Sequence, residues 1–241
     1  MRDRKMSDSG ALRTIVIKES VLDKNRTIAR ANRQWFDERR CLALNLLSSP
    51  GAGKTSLLER TLTDLADSRR MAVIVGDLAT DNDARRLNDR GAAIVQINTL
   101  DICHLDADMV ARACSTLTEV EPEVCFIENV GNMVCPASFD LGEHARVVLL
   151  SVTEGEDKPV KYPTLFRTAD LVVITKCDIA DAVGFDRDAA IRSVRAVCPE
   201  ADVIEVSART ATGLNAWYDW IEKRRSHAGF GPSPVEHGTQ E

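Results

Sequence analysis

Short apolar runs alternate with amphipathic stretches along the chain from residue 41 onward. The apolar runs have the length of buried strands and predict strands at 41–47, 71–76, 93–97, 123–128, 146–152, 170–175 and 202–206. The amphipathic stretches have helical spacing and predict helices at 54–67, 81–89, 106–119, 186–197 and 213–225. Because apolar strands separated by helices are typical of a parallel sheet covered on both faces, we predict an α/β fold with a mostly parallel central sheet flanked by helices.

The two ends of the chain differ from this pattern. Residues 1–20 predict a flexible or lightly structured start, and Val21–Arg39 has the apolar spacing of a helix. Glycine and proline recur after Arg225, which predicts a disordered tail. We therefore expect an N-terminal extension and helix at 1–40, a core domain at 41–225 and a flexible tail at 226–241.

Length and charge narrow the class of protein. The 241 residues suit one large α/β domain, and a net charge of -6 is unfavourable for general nucleic-acid binding, which uses a basic surface. The sequence has neither an apolar stretch of the ~20 residues that span a bilayer nor the apolar core of a signal peptide. We therefore expect a cytoplasmic protein with no nucleic-acid or membrane partner. Seven cysteines without a CxxC pair predict free thiols.

A glycine-rich segment follows the first predicted strand and opens a predicted helix, which is the context of a phosphate-binding P-loop. Its backbone N–H groups and the helix N-terminus can bind phosphate oxygens. Lys54 can reach the β- and γ-phosphates and the Thr55 hydroxyl can bind Mg²⁺. Ser48 stands where the common pattern has glycine. The predicted phosphate-binding residues are Gly51, Ala52, Gly53, Lys54, Thr55 and Ser56.

Two later segments indicate guanine as the base. A carboxylate at Asp178 can accept hydrogen bonds from N1–H and N2–H₂ of guanine, a pair that adenine does not offer, and the Lys176 stem can lie along the base. Thr175 replaces the usual asparagine of the N-K-x-D motif, and a helix-capping or loop carboxylate is the alternative interpretation of Asp178. The second segment resembles an S-A-K loop and consists of Ser207, Ala208 and Arg209.

Carboxylates after two other strands predict the magnesium side of the site. Glu128 precedes Gly131 where GTPases place D-x-x-G, and Asp77 ends another strand that points to the same pocket. We predict Lys54, Asp77 and Glu128 as catalytic, with Thr55, Asp77 and Glu128 at magnesium.

The residues near these carboxylates predict how hydrolysis proceeds. Asp81 and Asp83 can orient water or cap the next helix, and capping is the favoured interpretation. Asn132 follows Gly131 where a glutamine would orient water, so slow, gated hydrolysis is our hypothesis.

Cys103, His104 and Cys135 form a candidate transition-metal set. Thiolate and imidazole suit Zn²⁺, Ni²⁺ or copper, but three ligands do not close a tetrahedral site, so water, backbone or a second chain must complete it. From residue types alone, ordinary core thiols remain the favoured alternative.

Four segments together closely resemble the hydrogenase nickel-incorporation GTPases of the HypB family: SSPGAGKT, GDLATDNDARRL, CHLDADMV and ENVGNMVCPASFDLGE. The resemblance covers residues 21–225, and Ser48 is normal for that family. It implies a P-loop GTPase of the dimerising nitrogenase-iron-protein-like class, with a homodimer promoted by GTP. Cys103, His104 and Cys135 match the family's nickel or zinc ligands at the subunit interface.

The same resemblance implies delivery of nickel to the large subunit of a nickel–iron hydrogenase, with a small zinc-containing metallochaperone as partner. The chain departs from many members in having neither an N-terminal cysteine motif nor a histidine-rich stretch. A urease-type nickel GTPase is an alternative, although Ala137 stands where that family has the histidine of Cys-Pro-His. A P-loop small-molecule kinase or ATPase and a metal-free switch are the others.

Overall fold

The computed structural model describes residues 9–77, 82–88, 90–100 and 102–231, with side chains from residue 21 onward. The other residues, which include Asp81, lie outside the described part of the chain.

Seven strands form one parallel sheet in the order β3-β2-β4-β1-β5-β6-β7. The mostly parallel α/β prediction is confirmed, and no predicted strand end is displaced by more than one residue. The strands are β1 Leu42–Leu47, β2 Met71–Asp77, β3 Ala92–Asn98, β4 Val124–Glu128, β5 Ala145–Ser151, β6 Leu171–Thr175 and β7 Asp202–Val206.

Helices connect these strands and cover both faces of the sheet. They are α1 Ser9–Glu38, α2 Lys54–Leu65, α3 Asn82–Leu87, α4 Ala107–Thr116, α5 Lys158–Lys161, α6 Pro163–Phe166, α7 Ala180–Val183, α8 Arg187–Val197 and α9 Leu214–His227. All five helices predicted in the core domain are present. The one-turn helices α5, α6 and α7 were not predicted, because four residues are too few to show a helical period.

Alternation along the strands divides the core between the two faces. In β1, Leu44 and Leu46 pack with Leu58 of α2 and Trp217 of α9. Ala43 faces the other way, in the cluster that contains Phe36 of α1. Successive side chains of a strand point to opposite faces, so a strand that is buried throughout needs helices on both sides.

The N-terminal helix is part of the domain body. It begins at Ser9, so the predicted flexible or lightly structured start at 1–20 is wrong from residue 9 onward. Asn25 donates to the Asp140 carbonyl and accepts from the Ala107 backbone. Asn32, which is also buried, donates to the carbonyls of Ala107 and Leu141. These bonds anchor α1 to α4 and to the segment that precedes β5.

The predicted tail begins too early at 226. Helix α9 continues to His227, and Phe230 is buried in the core beside it. Arg40 donates to the carbonyls of Gly229 and Gly231, which ties this segment to the start of β1. The rest of the predicted tail, 232–241, lies outside the described residues.

Among the described residues, none of the helices combines the length and apolar character that crossing a bilayer requires. All seven cysteines are free. The carboxyl ends of the parallel strands meet at one edge of the sheet, which is where ligands bind in folds of this type.

Candidate functional site

The loop between β1 and α2 has the geometry of a phosphate cradle. Gly51 and Gly53 have φ angles of 74° and 101°, in the left-handed region that only glycine adopts readily. Lys54 begins α2, is buried, and donates from Nζ to Ser48 Oγ at 3.0 Å. Burial lowers the pKa of Lys54. Ser48 therefore supplies a hydroxyl that holds the lysine, a contact that glycine could not make.

A cavity of about 490 Å³ opens above this loop and brings the predicted phosphate and magnesium residues together. Asp77, at the end of β2, lines it with Thr55 and Glu128. Glu128 Oε1 accepts a hydrogen bond of 2.7 Å from the Thr55 hydroxyl. Its Oε2 is buried and has no hydrogen-bond partner among the described residues.

Burial raises the pKa of Glu128 to about 7, although the Lys54 charge opposes the rise. A buried carboxylate oxygen without a partner is unfavourable unless a ligand completes it. A hydroxyl and two carboxylates also form the oxygen-rich donor set that Mg²⁺ prefers. The residues present therefore fit a magnesium ion.

Two further residues of this cavity come from α3. Asp83 lies in the first turn of the helix rather than before it, so the interpretation of Asp83 as a cap is wrong. Arg86 lines the cavity and donates to the Ser56 hydroxyl at 3.1 Å. The sequence reasoning missed Arg86, since an arginine on a short helix looks like a solvated residue until the fold places it near the P-loop.

The second cavity, of about 260 Å³, adjoins the P-loop and is lined by the residues predicted to bind the base. Asp178 and Lys176 follow β6, and the other lining residues include Ser207, Ala208 and Arg209 after β7. Because β6 and β7 are neighbours in the sheet, these two segments lie side by side.

The Asp178 carboxylate is held by its neighbours. Arg209 donates to its Oδ2 from Nε at 2.8 Å and from an NH₂ group at 2.6 Å. Hydrogen bonds from Ser207 and then Arg209 hold the pKa of Asp178 below its usual value. The side chain therefore remains an acceptor with a fixed orientation. Asp178 lies in the 3₁₀ turn Cys177–Ile179 and not at a helix N-cap, which excludes the capping interpretation.

Cys103, His104 and Cys135 converge, as predicted for a metal set. Their three ligand atoms lie within 4.8 Å of one another, and all three residues are half-buried. A hydrogen bond with the Cys135 thiol raises the pKa of Cys103, and burial lowers the pKa of His104. His104 Nδ1 is buried without a hydrogen-bond partner among the described residues. Its ring stacks on Phe139 at 3.9 Å between centroids, which orients it.

One segment, 129–135, joins the cavity of about 490 Å³, which we call the nucleotide cavity, to this cysteine–histidine cluster. Gly131 lines the cavity and packs so closely on Pro50 that an added Cβ would lie 3.1 Å from the Pro50 Cα. Asn132 follows and donates to the Cys103 carbonyl at 3.4 Å, while its Oδ1 accepts from Val134 N at 2.8 Å. The segment therefore contacts the cavity at Gly131, contacts Cys103 through Asn132, and ends at Cys135.

Comparisons with known proteins agree with this geometry. Residues 42–205 match the family model described as CobW/HypB/UreG, nucleotide-binding domain. A hydrogenase maturation factor HypB of Azotobacter vinelandii is 50% identical over 213 residues, which cover 88% of this chain and 70% of that protein. The chain belongs to the HypB family of hydrogenase maturation factors.

Two further comparisons support the assignment. The HypB of Escherichia coli strain K12 is 48% identical over 88% of this chain and 73% of its own length. The crystal structure of HypB from Helicobacter pylori in complex with nickel superposes with a TM-score of 0.81 at 36% identity, covering 85% of this chain and 96% of that one. The predicted fold class and family are therefore confirmed.

Proposed function

We propose that this protein is a GTP-hydrolysing metallochaperone that delivers nickel during maturation of a nickel–iron hydrogenase. The observation that carries the proposal is the 129–135 segment, whose two ends lie at the nucleotide cavity and at the cysteine–histidine cluster. The HypB relatives support the hydrogenase client, and the nickel in the Helicobacter pylori HypB structure supports the cargo.

The residues around the P-loop would bind the phosphates of GTP and hold them in position. Lys54 sits at the N-terminus of α2, where it reaches the β- and γ-phosphates of GTP. Thr55, Asp77 and Glu128 would hold Mg²⁺, which neutralises charge on the phosphate oxygens when bound. Arg86 lines the same cavity, where its guanidinium group pairs with Glu59 at 3.1 Å.

The base side selects guanine. Asp178 accepts from N1–H and N2–H₂, and the Lys176 stem covers the base while its Nζ donates to the Gly51 carbonyl at 2.8 Å. Ser207 and Arg209 keep the Asp178 carboxylate charged and oriented. Ala208 lies in the wall of the same cavity, where its backbone N–H can serve the guanine oxygen.

Nickel is the cargo of the second site. Two thiolates and an imidazole are ligands that suit Ni²⁺ or Zn²⁺. One chain offers three ligands, so a second copy of the chain completes the site in a homodimer that GTP promotes. His104 contributes as a neutral imidazole, because burial lowers its pKa.

Hydrolysis is slow and gated. The Asn132 side chain is already engaged by Cys103 and Val134, so it does not orient an attacking water. A contact between the γ-phosphate and Gly131 shifts the segment and moves Cys135, which changes the metal geometry. The expected partners are a small zinc-containing metallochaperone and the hydrogenase large subunit, in the cytoplasm, with no nucleic acid and no membrane.

Two other functions fit less well. A urease-type nickel GTPase shares the family model, but the relatives at 50% and 48% identity are both HypB proteins and Ala137 replaces the histidine of Cys-Pro-His. A small-molecule kinase does not need a carboxylate that recognises guanine, whereas this chain orients the Asp178 carboxylate through Arg209.

The test is a nickel titration of the purified protein with GDP and then with a non-hydrolysable GTP analogue, while its mass in solution is followed. We expect nickel affinity or stoichiometry and the dimer fraction to change together. Cys135→Ala should abolish the response, whereas Cys114→Ala, which removes a buried core thiol of α4, should retain it. Nickel binding that is indifferent to nucleotide would leave only a P-loop GTPase of unknown client.

A further inference from the structure

A third cavity, of about 310 Å³, lies at the edge of the sheet where the strands begin, opposite the nucleotide cavity. Arg40 lies just before β1, and Arg70 and Glu123 immediately precede β2 and β4. Of the eight lining residues, five are arginines and one is acidic. We call this space the arginine cavity; its arginines are Arg39, Arg40, Arg69, Arg70 and Arg225.

Two of these arginines are neutralised by carboxylates. Arg69 makes a two-pronged ion pair with Glu222, at 2.9 and 3.0 Å. Arg225 donates to Glu123 at 3.2 Å and to Glu222 at 3.3 Å. Among the described residues, Glu123 and Glu222 therefore pair with these two arginines and leave the other three arginines of the cavity without a carboxylate partner.

The other three side chains are held without being neutralised. Arg40 donates to the carbonyls of Gly229 and Gly231, and Arg70 donates from Nε to the Glu121 carbonyl at 3.0 Å. Arg39 lies over the Trp35 ring, 4.3 Å from its centroid. In the part of the chain that the structure describes, no carboxylate pairs with these three guanidinium groups.

Arg225 supplies an independent sign of a ligand. Its side chain is only 6% exposed, and its Nε has no hydrogen-bond partner among the described residues. Buried N–H donors in folded proteins are almost always paired. An anionic acceptor in the cavity would bind this N–H donor and also offset the positive charge of the three arginines that lack a carboxylate partner.

We propose that the arginine cavity binds a small oxyanion, a phosphate group or a carboxylate. The planar fork of a guanidinium matches both groups, and charge-assisted bonds of this kind are strong. The cavity has the size of a small-ligand site. Two sources fit this chemistry. One is a free molecule that contains phosphate. The other is the carboxylates of Glu236 and Glu241, which belong to the residues that follow Gly231 of the cavity wall in the sequence.

The first test is calorimetric titration of inorganic pyrophosphate into the full chain. A non-hydrolysable GTP analogue saturates the P-loop, and Mg²⁺ is matched in both solutions. We expect one site, with about tenfold weaker binding in Arg70→Gln and in Arg39→Gln, since each loses a charge-assisted hydrogen bond. Arg112→Gln is the matched control, because Arg112 pairs with Asp108 on the exposed face of α4 and should not alter the affinity. Thermal unfolding of each variant verifies that it is folded.

The second test separates the two sources with a chain that ends at Gly231. Equal pyrophosphate affinity in the full and shortened chains would identify a free anion as the ligand. Binding by the shortened chain alone would identify the carboxylates that follow Gly231 as the occupant. Absence of binding in both chains, or unchanged affinity in both arginine variants, would overturn the proposal.

Discussion

The hydroxyl of Thr175 donates a hydrogen bond of 2.6 Å to the carbonyl of Ala52 in the P-loop. Thr175 ends β6 and is buried, so the segment predicted to bind the base is attached directly to the loop predicted to bind phosphate. Thr175 stands where the N-K-x-D motif has an asparagine. From this contact we expect the threonine to position the segment that follows it.

Thr175→Val should therefore weaken GDP and GTP binding without changing the preference for guanine over adenine. The variant keeps the shape of the side chain but removes the buried hydroxyl that donates to the Ala52 carbonyl, which costs about 1–3 kcal/mol, or about 5- to 150-fold in affinity. Fluorescent nucleotide competition measures both quantities. Thr175→Ser, which retains the hydroxyl, should bind like the unaltered protein; a loss of guanine preference in Thr175→Val would contradict the positioning role.

Guanine affinity should depend on pH through Asp178. Because hydrogen bonds lower its pKa in the folded protein, the carboxylate stays charged and accepts from guanine until the pH falls through that lowered value. In Arg209→Gln both hydrogen bonds from the guanidinium group are lost, the pKa of Asp178 rises toward its ordinary value, and the decline in GDP affinity should begin at higher pH. Affinity curves from neutral pH to about pH 4 test this; identical curves for the two proteins would exclude the Arg209 contribution.

Lys54→Ala should abolish turnover and weaken nucleotide binding. The variant removes the cation that we propose for the β- and γ-phosphates, and loss of one such stabilising group lowers kcat by about a hundredfold or more. Phosphate release under single-turnover conditions measures the effect. Arg60→Ala, on the outer side of α2, is a matched loss of charge that should leave turnover intact. Retained hydrolysis in Lys54→Ala would remove the P-loop assignment.

Gly131→Ala should separate nucleotide binding from nickel binding. The added Cβ would lie 3.1 Å from the Pro50 Cα, so Gly131 and Pro50 must separate by a few tenths of an ångström, which should alter the position of the segment. We expect nickel affinity that no longer differs between the GDP and GTP-analogue states, while GDP affinity changes little. Gly231→Ala serves as a control, since its φ is not in the left-handed region, a Cβ there meets only Ser226 at an ordinary contact distance of 3.7 Å, and the residue lies outside this loop. A full nucleotide response in Gly131→Ala would show that the segment does not transmit the change.

Cys103→Ala should remove nickel binding and leave GTP binding almost unchanged. The thiol is one of three ligand atoms that converge within 4.8 Å, while Cys103 itself does not line the nucleotide cavity. Titration with nickel and then zinc, followed by nucleotide competition on the same sample, measures both properties. Unaltered affinity for both metals would show that the ligand set is wrong.

The sequence by itself determined the strands of the sheet and the positions of the loops between them. Continuous apolar runs such as Val147–Leu150 need burial on both faces, and that requirement defines the strands almost residue by residue. Gly51–Thr55 could be predicted as a phosphate-binding loop, because such a loop needs glycines that adopt left-handed φ angles, a lysine and the start of a helix within a few consecutive residues. Features of this kind depend on neighbouring residues and can therefore be predicted from the sequence.

Only the tertiary structure decided which distant side chains meet. The contact of Thr175 with Ala52 depends on how the end of β6 approaches the loop that follows β1. The convergence of Arg39, Arg70 and Arg225 depends on the sheet order, which brings the starts of separate strands to one edge beside α9. Periodicity records which face of an element is buried, but not what lies opposite that face. Contacts between segments far apart in the chain therefore required the folded arrangement.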